Sequence, residues 1–252
     1  MTAESLWIET PSPSVTDHRH IYWDIVAAVY PDRPPIDILE IGVYKGALVR
    51  NLDDSVNVRS YTGVDPYLGS IMDSYFKSYW NGSDEASAIY RSTKDLFDAK
   101  GFTLARNTSS AYWKENPQSF DVIIVDGDHT YDIALWDMHH WFKRLRPNGL
   151  LMIDDYDNPQ TPDVTKATTR FLHMDRSEIA QFGYRHYEFL NMDLVVPIGM
   201  SVVYAQRVPV EASNATHEDF PARLAFERLM LRLAKNTYKS GRDLLKGRGK
   251  PA

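Results

Sequence analysis

The chain has 252 residues, 43% of them hydrophobic and 25% charged, ordinary proportions for one large globular domain with a full core. A net charge of −6 argues against a general nucleic-acid binder, and the absence of cysteine excludes disulfides, thiolate metal sites and a cysteine nucleophile. The N-terminus lacks the basic start and apolar core of a signal peptide, and no apolar run approaches the roughly 18 residues that span a bilayer, so a soluble cytoplasmic protein without a transmembrane segment is expected.

The first 20 or so residues, with Pro11 and Pro13, read as a loose arm. HIYWDIVAAVY carries apolar residues at helical spacing and is stopped by PDRPP. IDILEIGV is a short β-branched run ending in glycine, GALVRNL a helix start, and SYTGVDPY a second strand closed by Asp-Pro. Residues 67–100 are polar and aromatic with no evident strand. FTLARN is a third strand, SSAYWKENP a short helix and FDVIIVD a fourth strand. TYDIALWDMHHWFKRL has helical periodicity, with Pro147-Asn148-Gly149 as its stop; LLMIDDY is a fifth strand and DVTKATTRFLHM a helix. YRHYEFLN and MSVVYAQR alternate as two late strands, read as antiparallel. Strands alternating with helices predict an α/β, doubly wound, mostly parallel sheet covered on both faces. Ligands of such sheets sit outside the carboxyl ends of the strands, where the strand order reverses.

Two groups of residues fall at those ends. In LEIGVYKGAL, Glu40 and Gly42 follow the first strand and Gly46 opens a helix. The loop is not the G-x-G-x-x-G of a dinucleotide site, and its acidic lead residue would repel phosphate, so a cationic, phosphate-free ligand fits better than pyrophosphate. A purely structural tight turn is the alternative. Asp65, 25 residues after Glu40 and closing the second strand, is placed to accept hydrogen bonds from ribose hydroxyls. At the other end, Asp126 closes the fourth strand and Asp154 and Asp155 the fifth. Neighbouring strands lie about 4.8 Å apart, and two carboxylates about 4 Å apart repel by roughly 4 kcal/mol at an effective dielectric near 20. Such a group protonates or recruits a cation, and oxygen ligands select a hard ion such as Mg²⁺. Capping of the following turn is the alternative for Asp154 and Asp155. His129, three residues after Asp126, can take a proton from a hydroxyl at neutral pH or serve structurally. Asp128 reads as a cap for the helix that follows. Tyr67, Tyr75, Phe76, Tyr79 and Trp80 form an aromatic lid or a packed helix, and His139 and His140 are ordinary helix residues.

DILEIGVYKGAL, YTGVDPY and FDVIIVDGDHTYDIALWDMHHWFKRLRPNGLLMIDDY together resemble the class I S-adenosylmethionine-dependent methyltransferases, more narrowly the metal-dependent O-methyltransferases of macrolide-sugar and antibiotic tailoring. The resemblance covers residues 36–206. It implies a seven-stranded Rossmann-like sheet with its last strand antiparallel. It also implies that Glu40, Gly42 and Gly46 surround the methionine moiety, that Asp65 holds the ribose and that Asn107, Thr108 and Ser109 lie near the adenine. Asp126 borders the cofactor and binds the metal with Asp154 and Asp155, and His129 is the base. The implied activity is Mg²⁺-dependent methyl transfer to a hydroxyl of a small molecule, a sugar or polyketide-type metabolite. Residues 1–35 would be an arm and helix, and residues 207–252 a basic tail. From Pro221 onward that tail carries nine Lys or Arg against Glu227 and Asp243, a net +7. It reads as an amphipathic helix docked on the acidic body or on a second copy in a homo-oligomer, with a membrane-surface or partner role as the alternative. The rival functions are a metal-independent methyltransferase, a nicotinamide-dependent oxidoreductase, against which the glycine spacing counts, and a non-enzymatic cofactor-binding protein.

Overall fold

The computed structural model describes residues 19–52, 54–68, 83–191 and 196–208. All of them belong to the first of the chain's two units, Met1–Ser213. The basic tail, the N-terminal arm and Tyr75, Phe76, Tyr79 and Trp80 lie outside the described residues.

In chain order the elements are α1 (His20–Val29), β1 (Ile36–Ile41), α2 (Ala47–Arg50), β2 (Val58–Val64), α3 (Ser83–Ala99), β3 (Thr103–Ala105), α4 (Ser109–Glu115), β4 (Phe120–Val125), α5 (Tyr131–Phe142), β5 (Leu145–Tyr156), α6 (Pro162–Met174), a 3₁₀ turn (Arg176–Glu178), β6 (Ile179–Asn191) and β7 (Val196–Arg207). The strands form one seven-stranded sheet in the order β3-β2-β1-β4-β5-β7-β6. Pairs among β1 to β5 are parallel, while β7 runs antiparallel to both β5 and β6. The expected doubly wound, mostly parallel sheet with an antiparallel last strand is the observed one.

All six residues of β1 are buried, as a central parallel strand covered on both faces requires. Alternation sends Ile38 toward a layer built from Trp23 and Val26 of α1, Val49 of α2 and Phe97 of α3. Leu39 and Ile41 take the opposite face, where α5 and α6 pack on β4 and β5 through buried residues such as Met138, Trp141 and Phe171. No described helix is long and apolar enough to cross a membrane.

One segment left without an element proves helical, and one local expectation is corrected. Residues 83–99 form a helix of 17 residues, α3, where the sequence showed only a polar segment. Its buried positions, Ala86, Ile89, Thr93 and Phe97, fall on one helical stripe. Two of those four are small or polar, which dilutes the apolar signal. α5 ends at Phe142 rather than at Pro147. Leu145 already pairs with Phe120, and residues 146–149 form an irregularity in β5 before Leu150 pairs with Val122, so the Pro-Asn-Gly turn sits inside the strand.

Candidate active site

Strand order reverses between β1 and β4, whose last residues Ile41 and Val125 are register partners. The loops leaving these two strands therefore share one crevice. They are also locked together by Asp126 N, which donates to Ile41 O at 2.8 Å, while Gly42 N ties the first loop to Val64 O of β2 at 3.0 Å. Gly42 has φ +86, and a Cβ there would lie 1.8 Å from the carbonyl oxygen of Asp126, so no other residue fits. Backbone in the left-handed region gathers at this end of the sheet: besides Gly42 and Gly46, the non-glycine residues Tyr44, Tyr67, Asp155 and Asp157 have φ between 48 and 63. Each such residue stores strain that the surrounding structure must over-determine, a pattern common at functional sites.

Asp65 organises the glycine loop. Its Oδ2 accepts from Val43 N at 3.1 Å and Tyr44 N at 2.9 Å, and its Oδ1 from Tyr67 N at 2.7 Å. Burial raises its pKa, and these three backbone donors oppose the rise. A carboxylate has about four acceptor positions, so capacity remains for a further donor such as a hydroxyl. Glu40, one residue before this loop, is 2% exposed, and its Oε2 accepts from Tyr61 Oη at 2.7 Å. Burial pushes its pKa up to about 8, with Asp65 adding to the rise and the Tyr61 bond opposing it. The carboxyl is thus largely neutral at pH 7, and the phosphate repulsion expected of it does not operate in this state of the site. Tyr67 is fully buried against Tyr90 of α3, ring centroids 5.1 Å apart, so it packs in the body rather than forming part of a lid.

Beyond β3, Thr108 is the N-cap of α4 and accepts from Ala111 N at 3.3 Å. Asn107 Oδ1 accepts from Thr108 N at 2.9 Å, which orders this turn. Ser109, the first residue of α4, is partly buried.

At the ends of β4 and β5, Asp126, His129 and Asp155 each bring a donor atom within 4.8 Å of the others. His129 Nε2 and Asp155 Oδ2 are 2.6 Å apart, and both side chains are partly buried, at 15% and 13% exposure. The pKa of Asp126 is raised well above the carboxylate range by burial and by Asp154 and Asp155, with His129 pulling it down. Asp154, next to Asp155, also bears on Asp126 through its charge. Its Oδ1 accepts from Tyr187 Oη of β6 at 2.7 Å. Tyr22 of α1, 1% exposed, sits beside the same carboxyl without a hydrogen bond of ordinary geometry. Of the three carboxylates expected to hold a metal, two therefore meet in a cluster with His129, and the third is engaged by a tyrosine. Asp128 Oδ1 accepts from Thr130 N at 2.8 Å, so it closes the turn before α5, whose N-cap is Thr130. His139 pairs with Asp175 at 2.7 Å and His140 stacks on Trp136 at 4.1 Å, both remote from the crevice in role.

Sequence reasoning missed Tyr22, Tyr61 and Tyr187. Their partners lie far away in the chain or on other elements, and periodicity marks such residues only as inward-facing.

Two carboxylates and an imidazole at this separation make a donor set that fits a divalent cation, and the repulsion on Asp126 favours one. The same groups can hold and move a proton.

Residues 39–156 match the model of a family described as a methyltransferase domain. An uncharacterized protein, R132, of Acanthamoeba polyphaga mimivirus is 21% identical over 174 residues, 68% of this chain and 72% of its own length. Among solved structures, an O-methyltransferase from Bacillus cereus in complex with SAH is 14% identical, covers 78% of this chain and 84% of its own, and has a TM-score of 0.49. The N-methyltransferase NodS from Bradyrhizobium japonicum, in complex with S-adenosyl-L-homocysteine, is 13% identical over 75% of this chain and 86% of its own, with a TM-score of 0.49. Residues 39–156, from within β1 through the end of β5, are thus similar to a methyltransferase domain.

Proposed function

We propose that this protein transfers a methyl group from S-adenosylmethionine to a hydroxyl of a small molecule, a sugar or polyketide-type metabolite. The observation that carries the reading is the His129–Asp155 pair, 2.6 Å apart, set with Asp126 at the carboxyl ends of β4 and β5 beside the glycine loop of β1. A methyl transfer to oxygen releases a proton, and this is where the chain can take one up.

The residues divide the work by position. Asp65 holds the loop of Val43 and Tyr44 in shape and keeps acceptor capacity for ribose hydroxyls. Glu40, Gly42 and Gly46 border the methionine end, and Asn107, Thr108 and Ser109 the adenine end. His129 accepts the hydroxyl proton, and Asp155 orients its ring and stabilises the imidazolium that results. Asp126 and Asp155, with His129 at hand, would hold a Mg²⁺ ion, and Asp154, bonded to Tyr187, adds its charge beside Asp126. When bound, the sulfonium cofactor supplies the methyl group and the cation lowers the pKa of the acceptor hydroxyl. Holding acceptor and donor in line accounts for much of the acceleration.

A metal-independent transfer is the second reading, favoured by the direct His129–Asp155 contact, which already forms a complete proton-accepting pair. Calorimetric titration with S-adenosylmethionine and with NAD, each with Mg²⁺ and with chelator, tests both. Binding of the sulfonium cofactor alone, with turnover of hydroxylated acceptors lost on chelation and in His129→Ala, supports the metal-dependent reading. Turnover that survives the chelator but not His129→Ala assigns the second. Binding of NAD alone overturns both.

A further inference from the structure

His129 and Asp155 meet through Nε2 and Oδ2 at 2.6 Å, and something must hold the carboxyl in that orientation. Its own backbone is strained: Asp155 has φ +58 and Asp157 φ +63, both in the left-handed region. Residues 157–161 join β5 to α6, beyond the last paired residue of β5, Tyr156. The sheet ladder therefore does not fix the segment that follows the pair.

Asn158 ties this segment together. It is 4% exposed, and its hydrogen-bonding groups are all engaged. Its backbone N donates to Asp155 O at 3.3 Å, and its backbone O accepts from Thr161 N at 3.1 Å. The side-chain Oδ1 accepts from Gln160 N at 2.9 Å, the short-range bond of an Asx turn. Nδ2 donates to Asp155 Oδ1 at 2.9 Å. The first three bonds close a turn, and an aspartate or serine could make the side-chain one. The fourth is not needed for the turn, and it requires a donor that those residues cannot place there. It assigns the two oxygens of Asp155, Oδ1 to Asn158 and Oδ2 to His129. Rotating the carboxyl away from His129 would break the bond to a buried amide and leave that amide unsatisfied.

We propose that Asn158 is a positioning residue for the proton-accepting pair: its amide pins the Asp155 carboxyl so that Oδ2 faces His129. The proposal rests on the reading of that pair as the place where the acceptor's proton is taken up. Asn158 acts through Asp155 and takes no part in the transfer itself. The same amide would orient Asp155 toward a divalent cation, since the outer partner of a ligating carboxylate sets its direction.

The test compares Asn158→Ser and Asn158→Asp with the unaltered protein and with His129→Gln. Both substitutions at position 158 keep an oxygen for the Gln160 amide, so the turn can close, and both lose the amide N–H that reaches Asp155. Imidazole N–H protons of the chain's eight histidines are recorded by NMR, and the downfield signal absent from His129→Gln reports the bond to Asp155. That signal should move upfield or broaden away in both variants, while melts stay cooperative and calorimetric binding of S-adenosylhomocysteine is unchanged. Titration of Mn²⁺ alone, followed by electron paramagnetic resonance, should show Asn158→Ser binding at least about tenfold more weakly. The NMR signal decides the positioning role and the Mn²⁺ titration its extension to a cation. A signal unchanged in the variants overturns the proposal, because a residue that only closes the turn behaves that way; so does its absence from the unaltered protein. If one variant does not fold, the other decides by the same signal. If the unaltered protein binds no Mn²⁺, the metal-dependent reading falls and the signal alone decides. If it does not bind S-adenosylhomocysteine, the methyl-transfer reading fails whatever the signal does, and the proposal falls with it.

Discussion

Replacing Glu40 with glutamine isolates one buried proton. Glu40 is 2% exposed and bonded only to Tyr61 among the groups around its carboxyl whose contacts are described. Its pKa rises from an ordinary 4.5 to about 8, and at roughly 1.4 kcal/mol per unit the shift is worth on the order of 5 kcal/mol. Because the folded value lies above the unfolded one, the native state holds the proton more tightly. The stabilisation is complete below about pH 4.5 and is lost as pH rises through about 8. Glutamine keeps an acceptor for Tyr61 and has no proton to lose. Urea unfolding of both proteins from pH 5 to pH 9 should therefore show the glutamine variant gaining on the parent by about 4 kcal/mol across that range. Subtracting one curve from the other removes every other titrating group. A difference that stays flat with pH would mean that the carboxyl ionises normally in the fold, and the neutral state assigned to it would be wrong.

Three further substitutions probe the crevice. Gly42→Ala would set a Cβ 1.8 Å from the Asp126 carbonyl oxygen at φ +86; the loops must separate, and a loss above about 3 kcal/mol by chemical denaturation is expected, together with cofactor binding. Asp65→Ala strands the amides of Val43, Tyr44 and Tyr67, which at about 1 kcal/mol or more each predicts a cost near 3 kcal/mol and binding weakened beyond measurement by calorimetry. Tyr187→Phe removes the one donor described on Asp154 Oδ1 and should cost about 1–3 kcal/mol, read by urea unfolding; no loss would show that the carboxyl has other sufficient partners.

The fold was largely legible because its signals are local. β-branched runs, Asp-Pro and Pro-rich stops and the 3.6-residue period each act within a few residues, and they placed every described strand. α3 escaped because its inward stripe includes Ala86 and Thr93, which look no different from surface residues. The end of α5 was misread because the pairing of Leu145 with Phe120 outweighs a turn signal at Pro147. At the site, the acids at the strand ends stood out as breaks in apolar runs. What each acid touches did not, because the partners are tertiary: Tyr187 is 33 residues from Asp154 and Tyr61 is 21 from Glu40.

The place of β7 between β5 and β6 has a consequence for how the chain reaches this structure. β7 is the last strand among the described residues, yet both of its neighbours precede it. Until it is present, β5 has one open edge and β6 has no partner in the sheet, so two strands wait exposed for a third. The sheet can assemble its parallel half early, but sealing the apolar β5 edge is a late event that depends on residues 196–207. Chains interrupted before that point should self-associate through β5, and substitutions in β7 should lower the yield of native protein more than their effect on the finished fold implies.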